Sequence, residues 1–143
     1  KHCYLQALAL DPKYAYAWNN LGNEGGGTVD GRHYDPKHCY LQALALDPKY
    51  ASAWINLGKI GGGTVDGRHY DRKHCYLQAL ALDPKDSPAW NGLGTEGGGT
   101  VDGRHYDPKH CFLQALALDP KYAYAWNNLG NEGGGTVDGR HYD

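Results

Sequence analysis

The chain contains 143 residues, with 14 lysines and arginines against 16 aspartates and glutamates, and its formal net charge is −2. A balance this close to neutral does not provide the basic surface that nucleic-acid binding requires, so we expect no nucleic-acid partner. No run of 18 apolar residues occurs in the sequence, and we therefore expect no membrane-spanning segment.

The sequence repeats itself with a period of 36 residues. The segment at 1–35, KHCYLQALALDPKYAYAWNNLGNEGGGTVDGRHYD, returns at 109–143 with one change, from Tyr4 to Phe112. A fixed period of this length indicates stacked units that cannot each bury a core alone. We therefore predict one array over 1–143, made of the repeats 1–36, 37–72, 73–108 and 109–143. The chain begins and ends inside a repeat, so we expect it to be a segment of a longer array.

Asp-Pro pairs divide each repeat. Asp35 followed by Pro36 is typical of a helix N-cap with proline at the first helical position, where a missing amide proton costs nothing. The apolar face of the next residues predicts a helix through about Leu46, which Asp47–Pro48 ends.

A second helix is predicted at about Tyr50 to Lys59. In the third repeat an extra proline, Pro88, would remove an interior hydrogen bond if the helix began at Pro84, so the start is placed near Ser87. Trp18 and Leu21 are expected on the buried edge of this helix in the first repeat. The three glycines Gly25 to Gly27 then end the helix, because glycine is unfavourable inside one.

A short β-hairpin is predicted after the glycines. Asp30-Gly31 is a favoured type I′ turn pair, which places Val29 opposite Arg32 and Thr28 opposite His33. A hairpin with arms of two or three residues is marginal by itself. Two alternatives remain open: hairpins of successive repeats merge into one edge sheet, or the segment is a solvated loop.

Histidine and cysteine are the residue types whose side chains could take part in catalysis or metal binding, and they recur in every repeat, as in His33, His38 and Cys39. A nucleophilic site needs a base and an orienting group in one pocket, but no repeat differs from the others in this way. We expect no enzyme activity and no catalytic residue. Cysteine in an apolar helix stripe is typically a core residue, and the spacing of histidine and cysteine predicts neither a metal site nor a cofactor.

Threonines on the glycine-rich segment are candidates for O-linked glycosylation. One occurs in each repeat: Thr28, Thr64, Thr100 and Thr136.

Two stretches carry a family resemblance. The A-W-x-N-L-G pattern of Ala17 to Gly22, followed by Tyr40 and by A-L-x-L-D-P at Ala43 to Pro48, resembles the tetratricopeptide repeat. This resemblance implies an all-α fold, an α–α solenoid of stacked helix pairs forming a superhelix, here with a short β-hairpin or loop in each repeat. The period departs from that of the family by two residues, and the segment GGGTVDGRHYDP replaces the usual connection between the helices.

The same resemblance implies a concave groove that binds an extended peptide. Polar positions of one helix would face this groove, and asparagine amides can pair with any peptide backbone. The residues carried over in this way are Asn19, Asn20, Asn23, Asn56, Lys59, Asn91, Thr95, Asn127, Asn128 and Asn131. The asparagines could equally serve to solvate the face or cap neighbouring turns.

Two functions follow from the repeats. The first is a structural protein that forms a filament, because residues 1–11 form a helix without its partner and residues 121–143 form the complementary helix and hairpin. Contacts of this kind that do not close produce an open fibre, and its partner is a further copy of the chain. The alternative is a soluble scaffold that binds a peptide or protein ligand in the asparagine-lined groove. The filament would be an extracellular fibre, and the scaffold, with reduced cysteines, would be cytoplasmic.

Overall fold

The structure is a computed structural model that describes residues 2–11 and 13–133, together with the backbone of 135–137 and 140–142. It divides into two compact units, Lys1–Arg72 and Lys73–Asp143, and each is described by itself. Both are mostly helical, with two helices and one short antiparallel strand pair in each repeat.

Unit 1 contains four helices and two strand pairs among its described residues. In chain order these are α1 (His2–Leu10), α2 (Ala15–Asn23), β1 (Gly27–Val29), β2 (Arg32–Tyr34), α3 (Pro36–Leu46), α4 (Ala51–Lys59), β3 (Gly63–Val65) and β4 (Arg68–Tyr70). The predicted helix from Pro36 to Leu46 is confirmed. The predicted second helix is confirmed with its start one residue later, because Tyr50 is the N-cap residue.

Unit 2 repeats this order. Its elements are α5 (Arg72–Leu82), α6 (Ser87–Thr95), β5 (Gly99–Val101), β6 (Arg104–Tyr106), α7 (Pro108–Leu118), α8 (Ala123–Asn131), β7 (Gly135–Val137) and β8 (Arg140–Tyr142). The predicted start of α6 at Ser87 is confirmed, and the Asp86 carboxylate caps it by accepting from the Ala89 amide at 3.4 Å.

Aspartate caps start the helices that follow the hairpins. The Asp35 carboxylate accepts a hydrogen bond from the His38 backbone N–H at 2.8 Å, and Asp107 does the same for His110 at 2.8 Å. The imidazole Nδ1 atoms of His38 and His110 also lie 2.7 Å from these carboxylates. The backbone and ring hydrogen bonds from the histidine hold the pKa of each aspartate below its usual value.

These caps predict an acid-sensitive fold. A carboxyl group whose pKa is lowered in the folded state stabilises the fold above its unfolded pKa of about 4, and this contribution is lost as the pH falls through the folded pKa. We expect the free energy of unfolding to decrease as the pH is lowered below about 4. In Asp35→Asn/Asp107→Asn this acid slope should shrink while the stability at pH 7 is kept, because asparagine is also a good N-cap. Denaturant unfolding at pH 3 to 7 measures this, and an unchanged slope would contradict it.

Each strand pair is a separate hairpin with the predicted register. Thr28 lies opposite His33 and Val29 opposite Arg32, and the turn residues Asp30 and Gly31 have φ values of 52° and 81°. Positive φ at both central residues is the signature of a type I′ turn. Among the described residues the hairpins of each unit form separate two-stranded sheets, so the loop alternative is wrong and the hairpins do not merge within either unit.

Aromatic packing holds the three hairpins whose side chains are described to their own repeats. The Tyr34 ring meets the edge of Trp18 on α2 with centroids 4.6 Å apart, and the Arg32 guanidinium lies 5.1 Å from the centroid of the Tyr34 ring. The same pairs recur at Trp54–Tyr70 and Trp90–Tyr106. A short hairpin that is marginal alone is therefore stabilised by a buried tryptophan, without a neighbouring strand.

Helix packing within each unit depends on a glycine beneath an aromatic ring. Gly22 on α2 lies so close to Tyr40 on α3 that a Cβ atom there would stand 2.6 Å from Cε1 of the ring. Gly94 on α6 holds the same place beneath Phe112 on α7. Tyr40 also donates a hydrogen bond to Asn23 Oδ1 at 2.8 Å. No described helix is long and apolar enough to cross a membrane.

Candidate interaction surfaces

Two asparagines from successive repeats form a hydrogen-bonded pair in unit 1. Asn19 on α2 is only 3% exposed, and its Oδ1 atom accepts a hydrogen bond from Nδ2 of Asn56 on α4 at 3.0 Å. Tyr50, the N-cap residue of α4, also forms a hydrogen bond with Asn19. Burial raises the pKa of Tyr50, and this hydrogen bond opposes the shift. We call Asn19, Tyr50 and Asn56 the asparagine cluster of unit 1.

Unit 2 contains an equivalent asparagine cluster. Asn91 on α6 accepts a hydrogen bond from Nδ2 of Asn128 on α8 at 2.9 Å. Tyr122, the N-cap residue of α8, forms a hydrogen bond with Asn91, and burial raises its pKa. In both clusters the acceptor amide comes from one repeat, while the tyrosine and the donor amide come from the next.

The other residues predicted for the peptide groove differ in exposure. Asn23 is exposed and accepts from Tyr40, and the Thr95 hydroxyl donates to the Gly92 carbonyl at 2.7 Å. Lys59, Asn127 and Asn131 are exposed. The groove stays a prediction, but the amides of Asn19, Asn56, Asn91 and Asn128 are already hydrogen-bonded to one another.

Asn20 differs from its counterparts. It is half-buried, and its Nδ2 atom is shielded from solvent without a hydrogen-bond partner in the described part of the chain. Asn56 and Asn128 occupy the corresponding place in their repeats, and each donates to an asparagine one repeat earlier.

The face of α1 is exposed where the corresponding helices are covered. Cys3 is exposed and Tyr4 is half-buried, whereas Cys39 and Tyr40 are 0% and 5% exposed. Leu10, at the end of α1, is 87% exposed. We call this surface, centred on Cys3 and Tyr4, the α1 face.

The face of α8 is open in a complementary way. Gly130 corresponds to Gly22 and Gly94, but in the described part of the chain no atom beyond its own helix lies within 4 Å of the place where its Cβ would be. Trp126 is half-buried, in contrast to the fully buried Trp18, and Asn127 and Asn131 are exposed. We call this surface, centred on Gly130, the α8 face. Complementary ends were predicted from the sequence, but the open space at Gly130 was not. The recurrence of glycine in A-W-x-N-L-G was a signal for it.

The threonines predicted for glycosylation lie on the first strand of each hairpin. Thr28, Thr64 and Thr100 are exposed, and the side chain of Thr136 lies outside the described residues. Thr64 borders a groove of 240 Å³ in unit 1, which is also lined by Arg32, Tyr34 and His38. The exposure of Thr28, Thr64 and Thr100 is compatible with O-linked glycosylation, which stays a prediction.

Three of the four cysteines lie in the core, as predicted. Cys39, Cys75 and Cys111 are each 0% exposed, and burial raises the pKa of Cys111 to about 12. A thiol with this pKa remains protonated at neutral pH and is a weak nucleophile. Among the described residues no group of three or more histidines, cysteines or acidic residues is placed to hold a metal ion.

No protein-family model matches this sequence, and no curated protein matches it.

Proposed function

We propose that this is a structural repeat protein whose copies join head to tail, or whose repeats continue covalently, into a filament. In this proposal the repeats stack as helix pairs similar to those of the tetratricopeptide repeat, and the stack forms a solenoid with superhelical twist. The α8 face of one copy receives the α1 face of the next. A contact of this kind is heterologous and does not close, so it extends without a defined stoichiometry.

The observation that carries the proposal is that the two end faces are the separate halves of an interface found inside each unit. The α2–α3 contact seats the Tyr40 ring over Gly22 and hydrogen-bonds its hydroxyl to Asn23. The α6–α7 contact seats Phe112 over Gly94. Tyr4 corresponds to Tyr40 and Phe112, while Gly130 and Asn131 correspond to Gly22 and Asn23.

Docking by this pattern places the Tyr4 ring over Gly130 and the Tyr4 hydroxyl on Asn131 Oδ1. The ring then fills the open space at Gly130, and the half-buried Trp126 and exposed Cys3 become covered. Burial of this apolar surface provides the driving force. Inside the chain a hairpin tethers the equivalent helices, whereas separate copies lack this tether. Association should therefore depend strongly on protein concentration.

The peptide-binding alternative has less support from the contacts. A ladder of free amides would be needed along the groove, but four of its predicted members pair with each other inside the units. Successive repeats are also nearly identical, whereas a binding groove gains specificity from differences between repeats.

Sedimentation of the full chain over a wide concentration range tests the proposal. We expect the weight-average mass to rise continuously with concentration, and electron microscopy of the concentrated sample to show fibres. A single-chain mass at every concentration would contradict filament formation by docking. A chain that remains single and binds extended peptides with a defined stoichiometry would favour the scaffold.

A further inference from the structure

We propose that the contact between the α8 face of one copy and the first repeat of the next rebuilds the asparagine cluster, and that this cluster makes the contact specific. This inference rests on the proposed function and adds its specificity. The partner is the first repeat of a second copy: Asn127 of one copy meets Tyr14 and Asn20 of the next. These three residues rebuild the cluster that each unit already contains.

The internal clusters define the rule. In unit 1 the amide oxygen of Asn19 accepts from Asn56, and Tyr50 also bonds to Asn19. In unit 2 Asn91 has the same role toward Asn128 and Tyr122. The acceptor always stands one repeat before its two partners, so both clusters have the same polarity along the chain.

At the ends of the chain the two halves of this cluster are separated. Asn127 occupies the acceptor position of the fourth repeat and is exposed. Tyr14 occupies the tyrosine position of the first repeat and is 48% exposed. Asn20 occupies the donor position, and its buried nitrogen has no partner among the described residues. A turn of the Asn20 amide about its broad terminal torsion directs this nitrogen to an incoming Asn127 oxygen.

The sequence distinguishes the first repeat from the third at these positions. Asp86 and Gly92 replace the tyrosine and the donor asparagine in the third repeat, and Ile55 replaces the acceptor in the second. The acceptor of the second repeat and both of its partner positions in the third repeat are therefore replaced together. A surface with the residues of the third repeat offers Asn127 no amide donor.

A mismatch is costly because it buries an amide without a partner. Leaving a buried polar group unsatisfied weakens association by roughly tenfold or more. The α8 face should therefore accept a surface of the first-repeat type in preference to one of the third-repeat type.

The test grafts the third-repeat residues onto the first repeat of the full chain. Tyr14→Asp/Asn20→Gly introduces an aspartate at the N-cap of α2, where Asp86 caps α6, so the helix start should be preserved. A second variant adds Asn127→Ile, which gives the acceptor position the residue of the second repeat. Asn56→Gly is the matched control, because it breaks the cluster inside unit 1 and leaves both end faces unchanged. Circular dichroism verifies that each variant is folded.

The association constant from sedimentation equilibrium decides the result. We expect the double variant to associate about tenfold more weakly than the parent chain, the triple variant to recover to within about threefold, and the Asn56→Gly control to stay near the parent value. If the double variant associates like the parent, or if the triple variant does not recover, the rebuilt cluster is wrong although the filament stands. If the parent chain itself remains single, the proposed function fails and the rebuilt cluster fails with it.

Discussion

Replacing Gly130 with alanine is expected to weaken end-to-end association while leaving the chain folded. Among the described residues no atom outside α8 itself lies within 4 Å of the alanine Cβ in the free chain, and alanine favours a helix over glycine by about 1 kcal/mol. In the docked pair the Tyr4 ring would occupy that space, as Tyr40 does over Gly22. Overpacking of this kind costs about 1 to 3 kcal/mol, which weakens association by about 5-fold to 150-fold. Sedimentation equilibrium measures this loss.

The matched control is Gly22→Ala, the same change inside unit 1. Its Cβ would lie 2.6 Å from the Tyr40 ring in the free chain, so it should lower the free energy of unfolding by about 1 to 3 kcal/mol. Gly130→Ala should keep or slightly raise that free energy. If Gly130→Ala associates as well as the parent chain, the Tyr4–Gly130 contact is wrong.

Gly26→Ala is expected to cause the largest loss of stability of any single change considered. Gly26 has φ of +84°, and a Cβ there would collide with the backbone carbonyl oxygen of Tyr34. Backbone atoms of a hairpin cannot move aside as a flexible side chain can. We expect a loss of more than about 3 kcal/mol, because steric overlap is added to the strain of a left-handed conformation.

Gly25→Ala separates these two causes. Gly25 also has positive φ, at 97°, but nothing lies within 4 Å of its Cβ position. We expect a cost of about 1 to 2 kcal/mol from the backbone conformation alone. Denaturant unfolding of the two variants gives the comparison, and equal losses would show that the approach of Gly26 to Tyr34 is not what the hairpin requires.

Local structure could be predicted from the sequence because its signals lie within a few residues. Asp35-Pro36 marked the start of α3, and Asp30-Gly31 fixed the hairpin register. Whether hairpins merge depends instead on tertiary packing, since Tyr34 packs on Trp18 of its own repeat. A tyrosine or a tryptophan in the sequence does not by itself indicate whether the hairpins merge or stay separate.

The environment of the asparagines was harder to predict. A polar ladder on one helix face suggested a solvated groove, but Asn19 and Asn56 are 37 residues apart and their amides form a hydrogen bond with each other. Such a contact becomes visible in the sequence only through the joint change to Ile55 and Gly92. The complementary ends were predicted, whereas the open space at Gly130, which would give them a specific contact, could be found only from the structure.

Cys3 provides the most direct measurement of head-to-tail docking. Its thiol is exposed in the single chain, whereas Cys39, Cys75 and Cys111, which occupy the same place in later repeats, are 0% exposed. The measurement is the rate at which a thiol reagent modifies Cys3, followed by mass spectrometry over a range of protein concentrations. Docking predicts that this rate falls as concentration rises and that Gly130→Ala moves the fall to higher concentration. A rate that is independent of concentration in the parent chain would contradict assembly through the α1 and α8 faces.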